Sequence, residues 1–505
     1  MTGECTIGRW VRDRGRGTPD RVAIRFRGEA TTYAELDERS GRLAAALRDA
    51  GVGRGDRVAS LTGNAPEHVE LLFACARVGA ALLPLNHRLA PAELAYQVDD
   101  ATPTLAFVAD EHTVLWKQTL EASEHHPDSH GLRRADLDAL TAVVDGAHDA
   151  EVADDDPLLL VYTSGTTGRP KGAVLTHANC FWTNLALDRT CDLTSEDVVL
   201  QVLPQFHVGG WNVQPLLAWW KGATVVLEPD FDPARALDRV EQEGVTTMMG
   251  VPATYLFMAD EPDFADRDLT SLRLAVVGGA PMPAAVLRTW TDRGVALVQG
   301  YGLTEAAPNV LCVPAEHAGD RLGWAGRPYP HVDVALRDPE SGTFLDGAGT
   351  GELCVRGPNV FAGYWRNPAA TEEAVVDGWL RTGDVADRDA DGWYRIRDRV
   401  KDMFISGGEN VYPAEVEAVL HEHPEVLEAA VTGVPHERWG EVGVAWVVRR
   451  REGGVSAEEL LALCGERLAR YKVPRDVRFV DALPRSAMNK VLKGDLAARY
   501  RQETA

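Results

Sequence analysis

Apolar residues recur at helical spacing near the start of the chain. In YAELDERSGRLAAALRDAG, Leu36, Leu43, Ala44 and Leu47 fall on one face, and Gly51 ends the pattern. This spacing predicts an amphipathic helix. The segments DRVASLTG and HVELLFACARVGAALLPLN follow, and they predict a strand, a mostly apolar helix and another strand. Helices that alternate with apolar strands in this way predict a parallel sheet covered on both faces.

The same pattern continues through the middle of the chain. Residues 245–252 (VTTMMGVP), 272–283 (LRLAVVGGAPMP) and 296–308 (ALVQGYGLTEAAP) are β-rich runs that end in Gly or Pro turns. Ligands of such folds bind at the carboxyl ends of parallel strands. We therefore expect binding residues in the turns after these three runs.

The pattern changes after about Gly323, where short β runs broken by turns predict a small β-rich subdomain. From Glu415 helix and strand alternate again, which predicts a compact α+β domain. Charge is dense at 397–402 (RDRVKD), so we place the boundary there. The predicted fold is α/β, with a large N-terminal domain of doubly wound sheets plus the β-rich subdomain (1–398) and a small C-terminal α+β domain (399–505).

Composition narrows the class of protein. A chain of 505 residues exceeds what one hydrophobic core usually serves, and 45% hydrophobic and 25% charged residues are typical of a globular enzyme. The net charge of −24 argues against a general electrostatic grip on nucleic acid or an anionic membrane, so we expect no nucleic-acid partner. An anionic ligand needs a local site.

Targeting signals and cysteine usage favour a cytoplasmic protein. The first residues, MTGECTIGRWVRDRGRG, lack the apolar core of a secretion signal. No window offers the roughly eighteen apolar residues that a membrane span needs. The seven cysteines are dispersed and form no CxxC pair, which predicts reduced thiols.

Residues 162–172, YTSGTTGRPKG, combine glycines, hydroxyls and one lysine, as a phosphate-binding loop does. The stretch does not fit the Walker pattern, because five residues separate Gly165 from Lys171 and Gly172 follows the lysine. Pro170 also removes a backbone N–H that a phosphate cradle uses. Taken alone, the stretch also fits a flexible Gly/Thr surface turn.

Five segments in order resemble the adenylate-forming superfamily, which includes acyl-CoA synthetases, peptide-synthetase adenylation domains and beetle luciferases. The resemblance covers nearly the whole chain, and its segments are TSGTTGRPKG (163–172), GYGLTEAAP (300–308), RTGDVADRDADGWYRIRDRVKD (381–402), SGGENVYPAEVE (406–417) and LPRSAMNKVLKGDL (483–496). It implies ATP, Mg²⁺ and coenzyme A as cofactors. It also implies that the C-terminal domain is mobile and rotates between two reaction steps, with Lys401 as the hinge residue.

The resemblance implies a role for each nucleotide-binding residue. The loop at 163–171 holds the β- and γ-phosphates, Tyr301 stacks on adenine, and Glu305 binds the metal. Asp384 accepts both ribose hydroxyls, although it is one of several aspartates in its segment. Two residues also fit a structural role: Ile396 fits a core position in a strand, and Glu305 fits a carboxylate at a helix N-terminus. The implied ATP or AMP contacts are Thr163, Ser164, Gly165, Thr166, Thr167, Gly168, Lys171, Gly279, Ala280, Pro281, Tyr301, Gly302, Thr304, Asp384, Ile396, Arg399 and Lys490.

The implied catalytic residues are Lys490, Thr304 and His207. Lys490 reaches the substrate carboxylate and the α-phosphate. The family usually has Gly before this lysine, whereas this chain has Asn489, which also tolerates left-handed backbone. Lys493 is the rival assignment. The resemblance places CoA against Ser406, Gly407 and Gly408.

The resemblance also implies an acyl pocket, for which a satisfied structural role of His207 is the alternative. Its implied lining is His207, Gly210, Trp211, Gln299 and Gly300. Relatives that select dicarboxylates place a cation just before the YG pair, where this chain has Gln299-Gly300. A second carboxylate without a partner in an apolar pocket is costly, so malonate-like acids are disfavoured. The segments VQGYGLTEAAP (298–308) and SGGENVYPAEVE (406–417) resemble those of bacterial fatty-acyl and aryl-propenoyl CoA ligases. This resemblance leaves alkyl and aryl acids open.

Together these features predict an AMP-forming acid–thiol ligase acting on a medium- or long-chain fatty acid or a cinnamate-type acid. The carboxylate attacks the α-phosphate of ATP, and the CoA thiol then displaces AMP. An enzyme that passes its acyl-AMP to a carrier protein or another nucleophile is the alternative, and a non-catalytic ATP-binding module is a third. The oligomeric state stays open, with a homodimer as one option.

Overall fold

The computed structural model describes residues 3–144, 150–163, 169–280, 282–338, 341–399, 402–406, 409–436, 439–485 and 491–504. The helix predicted from the spacing of Leu36, Leu43 and Leu47 is present, and these three side chains are buried. It begins after Thr32, whose side chain accepts from the Glu35 N–H while the Glu35 carboxylate accepts from the Thr32 N–H. This reciprocal cap satisfies two backbone donors at the helix start.

Strands and helices alternate through the first two-thirds of the chain. The strands are β1 (Val22–Phe26), β2 (Glu29–Thr32), β3 (Arg57–Leu61), β4 (Ala81–Leu85), β5 (Leu105–Val108), β6 (Asp128–Gly131), β7 (Pro157–Thr163), β8 (Lys171–Thr176), β9 (Val198–Gln201), β10 (Thr224–Leu227), β11 (Thr247–Gly250), β12 (Leu274–Val277), β13 (Ala296–Gly302), β14 (Asn309–Cys312) and β15 (Arg327–Pro328). The helices are α1 (Gly8–Gly17), α2 (Tyr33–Asp49), α3 (Pro66–Val78), α4 (Pro91–Ala101), α5 (Thr113–Ala122), α6 (Arg134–Thr141), α7 (His177–Cys191), α8 (Gly209–Asn212), α9 (Pro215–Lys221), α10 (Pro233–Glu243), α11 (Pro252–Ala259) and α12 (Ala284–Asp292).

The remaining elements form the β-rich subdomain and the C-terminal domain. The subdomain contains β16 (Asp333–Arg337), β17 (Gly349–Arg356), α13 (Pro368–Ala374), β19 (Val375–Val376), β20 (Trp379–Arg388) and β21 (Tyr394–Arg399), while β18 (Gly363–Tyr364) joins an earlier sheet. The C-terminal domain contains β22 (Phe404–Ser406), β23 (Glu409–Val411), α14 (Pro413–Leu420), β24 (Val426–His436), β25 (Gly440–Arg449), α15 (Ala457–Arg467), β26 (Asp476–Phe479) and α16 (Lys493–Thr504).

Two largely parallel sheets form the centre of the N-terminal domain. The strand order is β15-β14-β13-β12-β11-β9-β10-β1-β2 in the first sheet and β18-β8-β7-β4-β3-β5-β6 in the second. Adjacent residues Val199 and Leu200 of β9 are both fully buried but belong to different core clusters. The first sheet is therefore covered on both faces, as predicted. Val199 shares its cluster with Leu82 and Leu159 of the second sheet, so the two sheets pack on a common core.

The change from subdomain to C-terminal domain falls between two strands. Strand β21 pairs with β20 and ends at Arg399, while β22 begins at Phe404 and pairs with β23 and β25. This change of sheet lies next to the proposed boundary at residues 398 and 399, which stays a prediction. Residue Lys401 lies outside the described residues.

Charged pairs connect the C-terminal domain to the rest of the chain. Arg397 of β21 contacts Asp387 at 2.5 Å and Glu415 of α14 at 3.9 Å, and Glu415 also contacts Lys472 at 2.8 Å. On another surface, Arg450 contacts Asp260 at 2.8 Å, and both side chains are more than a third exposed. Exposed pairs of this kind stabilise a contact only weakly, by about 0 to 1 kcal/mol.

The seven cysteines are free thiols, as the sequence predicts. Cys5 is partly exposed, and the others are buried. Burial raises the pKa of the Cys312 and Cys464 thiols to about 11, and it raises the pKa of Cys75 further. Among the described residues, no helix combines the length and apolar character that crossing a membrane needs.

Candidate active site

The predicted acid- and adenine-binding residues gather at one edge of the first sheet. Strands β9, β11, β12 and β13 are parallel neighbours, so their carboxyl ends lie together. His207 follows β9, and Gly279 and Ala280 follow β12. Gln299 and Gly300 lie within β13, where Gln299 is opposite Val277, the last residue of β12. Gly279 has a φ of +83°, and both it and Ala280 are exposed. An exposed turn at this edge can approach a ligand closely.

Several predicted residues lie outside the part of the chain that the structure describes. These are Ser164, Gly165, Thr166, Thr167 and Gly168 of the loop, Pro281, the hinge residue Lys401, Gly407 and Gly408 of the CoA segment, and Lys490. The backbone of Arg399 lies in β21 opposite Asp384, and its side chain is not described. Ser406 is described; it ends β22 and is buried.

The two ends of the predicted phosphate-binding loop lie side by side. Thr163 ends β7, Lys171 begins β8, and these two residues are opposite each other in an antiparallel pair. Strands β7 and β8 therefore form a hairpin, whereas a Walker loop connects a strand to a helix. This explains why the spacing fails the Walker pattern.

A carboxylate, a hydroxyl and an ammonium group converge at this hairpin. Glu305 lies in the 3₁₀ turn Thr304–Ala306, and its Oε1 accepts from the Tyr364 hydroxyl at 2.8 Å and from Thr163 Oγ1 at 3.5 Å. The Lys171 Nζ lies 5.1 Å from the centroid of the Tyr364 ring. The structure thus brings together Thr163, Lys171 and Glu305, which the sequence assigned to ATP and Mg²⁺. Tyr364 was not predicted.

The Glu305 turn is fixed by the segment at 359–364. Asn359 is buried, and its Nδ2 donates to the carbonyls of Ala306 and Asn309 at 3.0 Å each. The Phe361 N–H donates to the Glu305 carbonyl at 2.9 Å. Burial, and Glu305 beside it, raise the pKa of the Tyr364 phenol well above its ordinary value, so the hydroxyl stays protonated and donates. The sequence motifs gave no signal for Asn359, because its role depends on this distant contact.

Glycine is required at the end of β13. A Cβ on Gly302 would lie 1.9 Å from the Pro308 carbonyl oxygen, so no larger residue fits without moving the turn. The close approach keeps the turn with Thr304 and Glu305 tight against β14. Gly302 therefore has a structural reason to be glycine, while its contact with nucleotide stays a prediction.

The residues assigned to adenine and ribose are in direct contact. The Tyr301 hydroxyl donates to the Asp384 carboxylate, and Asp384 is buried. The Asp384 N–H donates to Thr382 Oγ1 at 3.1 Å, which fixes the backbone of this strand. Ile396 is partly buried and packs against the main core, as the alternative interpretation of this residue expects. The contact of Tyr301 with Asp384 therefore brings the side chains predicted to bind adenine and ribose together.

The residues assigned to the acid come from the segment after β9, from α8 and from β13. His207 is partly exposed, and its ring centroid lies 4.8 Å from that of Phe206. A Cβ on Gly210 would lie 2.3 Å from the Pro204 carbonyl oxygen, so close packing of α8 requires glycine there. Gln299 is 8% exposed, and its Oε1 has no hydrogen-bond partner among the described residues. Their roles in acid binding stay predictions.

Trp211 lies in the core beneath this region. It is fully buried, and its indole N–H donates to the Gln205 carbonyl at 2.6 Å. The His68 ring packs edge-on against it with centroids 5.0 Å apart. Burial lowers the pKa of His68 to about 3, so this imidazole is neutral at physiological pH. The packing alone accounts for a tryptophan here, and its place in the pocket wall stays a prediction.

Trp211→Ala is expected to lower the free energy of unfolding by about 3 to 5 kcal/mol, because it leaves a cavity and an unpaired carbonyl. Urea denaturation followed by circular dichroism measures this loss. Trp439→Ala is the matched control, since Trp439 is 47% exposed, and it should change stability far less. Equal loss in the two variants would contradict the burial of Trp211.

The rival catalytic lysine already has a partner. The Lys493 Nζ contacts the Glu417 carboxylate at 2.8 Å, and Lys493 lies at the start of α16. Nearby Glu417, Asp398 and Asp402 raise the pKa of Lys493 although its burial acts in the opposite direction. This ion pair within the C-terminal domain accounts for a lysine at 493 without a catalytic role.

A cation at this site would depend on few protein ligands. Among the described residues, no group of three or more His, Cys, Asp or Glu side chains could hold a metal ion. A single carboxylate such as Glu305 beside a phosphate-binding hairpin fits Mg²⁺, which keeps several waters and takes its other ligands from substrate phosphates. The donor set does not fit Zn²⁺, which prefers Cys and His.

Residues 11–365 match the family described as AMP-binding enzyme, and residues 415–490 match its C-terminal domain. The chain belongs to the AMP-binding enzyme family. The resemblance read from the five segments is therefore confirmed, and with it the predicted class of acid–thiol ligase. Both matches leave the region around Lys401 between them.

Two curated relatives of this AMP-binding enzyme align over nearly their full length. One is a feruloyl-CoA synthase from an Amycolatopsis species, 45% identical over 494 residues that cover 98% of this chain and 99% of the relative. The other is an indoleacetate–CoA ligase from Aromatoleum aromaticum, 40% identical over 507 residues that cover 99% of each chain.

Solved structures of AMP-binding enzymes confirm the predicted fold. ATP-bound MatB from Rhodopseudomonas palustris superposes with a TM-score of 0.91 at 33% identity, covering 100% of both chains. O-succinylbenzoate CoA synthetase from Bacillus subtilis in complex with ATP and magnesium ion superposes with a TM-score of 0.86 at 32% identity, covering 96% of this chain and 98% of that one.

Proposed function

We propose that this AMP-binding enzyme joins an aryl-propenoic acid to CoA through an acyl-adenylate. The observation that carries the proposal is the full-length similarity to a feruloyl-CoA synthase, at 45% identity over 98% of the chain. The second relative is named for another aryl acid. The sequence left alkyl and aryl acids open, and these relatives favour the aryl class.

In the first step the chain's own residues hold ATP for attack by the carboxylate. The contact of Tyr301 with Asp384 supports an adenosine site between the end of β13 and the middle of β20. Thr163 and Lys171 flank the loop proposed to hold the β- and γ-phosphates. Thr304 and Lys490 are proposed to contact the α-phosphate. Catalysis of this step is then mainly positioning and stabilisation of developing negative charge.

Glu305 is the residue proposed to hold Mg²⁺. When bound, the ion neutralises the charge of the departing pyrophosphate. The chain's contribution is to orient one carboxylate toward the phosphates, and the hydrogen bond from Tyr364 at 2.8 Å fixes that orientation. The backbone contact from Phe361 to the Glu305 carbonyl holds the turn that carries it.

In the second step the CoA thiol displaces AMP from the acyl-adenylate. The segment that includes Ser406, Gly407 and Gly408 is proposed to face the active site at this stage, after rotation of the C-terminal domain. Ser406 is the last residue of β22, a strand that pairs antiparallel with β25. A cytoplasmic location remains a prediction from the sequence, and the oligomeric state stays open, with a homodimer as one option.

The proposed pocket predicts that ferulate-like acids outcompete acetate and malonate. Each buried methylene contributes about 0.8 kcal/mol, so larger apolar acids should gain severalfold in kcat/KM per carbon until the pocket is filled. Malonate loses because Gln299 offers no positive charge to its second carboxylate. The measurement is AMP release with ATP, CoA and each acid, as kcat/KM.

The same assay, run with and without CoA, also tests the class of acceptor. Omission of CoA should reduce product formation to the single acyl-adenylate that stays bound. Malonate as the best substrate would overturn the pocket assignment, and a medium-chain fatty acid as the best substrate would move the proposal to the alkyl class. Turnover with a phosphopantetheinylated carrier protein but not with CoA would overturn the proposed acceptor.

A further inference from the structure

We propose that Tyr364 is a positioning residue that connects the Mg²⁺-binding carboxylate of Glu305 to the phosphate-binding Lys171. Its hydroxyl donates to Glu305 Oε1 at 2.8 Å, and the Lys171 Nζ lies 5.1 Å from its ring centroid. One side chain therefore contacts two groups that are proposed to bind different parts of MgATP. The inference rests on the proposed function for the roles of Glu305 and Lys171.

The backbone around Tyr364 ties it to the strand that leaves the phosphate-binding loop. Strand β18 pairs with β8, with Tyr364 opposite Ala173. The Trp365 N–H donates to the Gly172 carbonyl at 2.7 Å, so this pairing continues to the residue after Lys171. The Tyr364 N–H donates to Thr371 Oγ1 at 2.9 Å. The backbones of Tyr364 and Lys171 are therefore held in one sheet.

A second set of contacts ties the same segment to the Glu305 turn. The Phe361 ring packs edge-on against the Tyr364 ring at a centroid distance of 4.9 Å, and the Phe361 N–H donates to the Glu305 carbonyl at 2.9 Å. Aromatic pairs in this geometry restrict ring orientation. The phenol is thereby aimed at the carboxylate from a fixed backbone, while the turn is held by the same four-residue stretch, 361–364.

The two ends of the tyrosine have separable roles. The hydroxyl orients a carboxylate, and outer-shell hydrogen bonds of this kind set the affinity of a site for its metal. The ring face attracts the lysine ammonium through its negative quadrupole. Loss of the hydroxyl alone should therefore weaken the Mg²⁺-dependent part of nucleotide binding. Loss of the whole ring should also weaken the part that Lys171 contributes without metal.

The test measures nucleotide binding without turnover. An α,β-methylene analogue of ATP, which cannot lose pyrophosphate, is titrated by calorimetry with Mg²⁺ and with EDTA, and the ratio of the two affinities is the Mg²⁺-dependent gain. Tyr364→Phe should reduce this gain by about 10- to 100-fold and leave the affinity in EDTA nearly unchanged. Tyr364→Leu should reduce both quantities.

Tyr33→Phe is the matched control. The buried Tyr33 hydroxyl donates to the Ala223 carbonyl at 2.6 Å, so the variant loses a phenol hydrogen bond of similar length that does not touch Glu305. It should lower the melting temperature as Tyr364→Phe does and leave the Mg²⁺-dependent gain at the wild-type value. A purely structural role of Tyr364 would give the two variants the same phenotype, which would overturn the inference.

A second comparison keeps the test decisive if Tyr364→Phe folds poorly. Tyr364→Gln supplies an N–H donor without a ring, and it should retain more of the Mg²⁺-dependent gain than Tyr364→Leu. Equal loss in these two variants would refute the role of the hydroxyl. In a Glu305→Gln background, Tyr364→Phe should have no further effect on the gain, because the charged partner is already absent.

This experiment is independent of the acid substrate. Wild-type protein that binds the analogue with a Mg²⁺-dependent gain, yet activates no aryl-propenoic acid, would overturn the proposed function and leave the role of Tyr364 standing. A wild-type gain in Tyr364→Phe together with normal ferulate activation would overturn the role of Tyr364 and leave the proposed function standing.

Discussion

Lys490→Ala is expected to lower the rate of acyl-adenylate formation by roughly 10²- to 10³-fold, as removal of one preorganised charge-stabilising donor does. The proposed role of this lysine ammonium is to stabilise the negative charge that develops at the α-phosphate more than it stabilises bound ATP. ATP affinity should therefore change little, because Thr163 and Lys171 remain at the phosphate-binding hairpin. The thioester step should also survive, since in the proposed mechanism the rotated C-terminal domain then presents the segment at 406–410.

The measurement separates the two half-reactions. One assay supplies acid and ATP and follows pyrophosphate release; the other supplies synthetic acyl-AMP and CoA and follows AMP release. Lys493→Ala is the matched control, because Lys493 pairs with Glu417 at 2.8 Å and should keep adenylation within a few-fold. The opposite result, with adenylation lost in Lys493→Ala and kept in Lys490→Ala, would move the catalytic role three residues along the chain.

Lys401→Pro is expected to slow thioester formation by roughly 10²-fold, a typical cost of misplaced reacting groups, while adenylation changes only a few-fold. Proline fixes φ near −65°, and this should trap one orientation of the C-terminal domain. Lys401 lies between β21, which ends at Arg399, and β22, which begins at Phe404 and belongs to another sheet. A rigid residue between two sheets restricts their relative rotation.

Lys401→Ala is the control, because alanine removes the side chain and leaves φ free. It should behave as wild type in both half-reactions. Equal slowing of both steps by Lys401→Pro would place the pivot elsewhere, and no effect on either step would identify the stretch as an ordinary surface loop. The weak charged contacts of Arg397 with Glu415 and of Arg450 with Asp260 should not prevent rotation.

Local patterns predicted most of the fold. The helix α2 follows from the spacing of its apolar residues and ends before Gly51, and both are properties of one continuous stretch. Strands β11, β12 and β13 follow from apolar runs with turn residues behind them. Their order in the sheet, with β9 between β10 and β11, does not follow, because strand order depends on pairings that no local pattern encodes.

The candidate site likewise contains residues that local motifs predict and residues that only distant contacts reveal. Thr163, Lys171 and Glu305 were predicted because each lies in a motif, and the structure brings them together. Tyr364 and Asn359 were missed because each acts on a turn near residue 305 from a distant part of the chain. Glycine positions carry a similar ambiguity: Gly210 and Gly302 are each required by a nearby carbonyl oxygen, which a motif cannot distinguish from contact with a ligand.

The burial of the thiols allows the proposed domain rotation to be tested by spectroscopy. Six of the seven cysteines are buried, and a buried, protonated thiol reacts slowly with maleimides. Replacement of Cys5 by serine leaves a background in which two engineered surface cysteines, one on each domain, can carry a donor and an acceptor dye. Energy transfer between the dyes would then report the orientation of the C-terminal domain in real time as ATP, acid and CoA are added in turn.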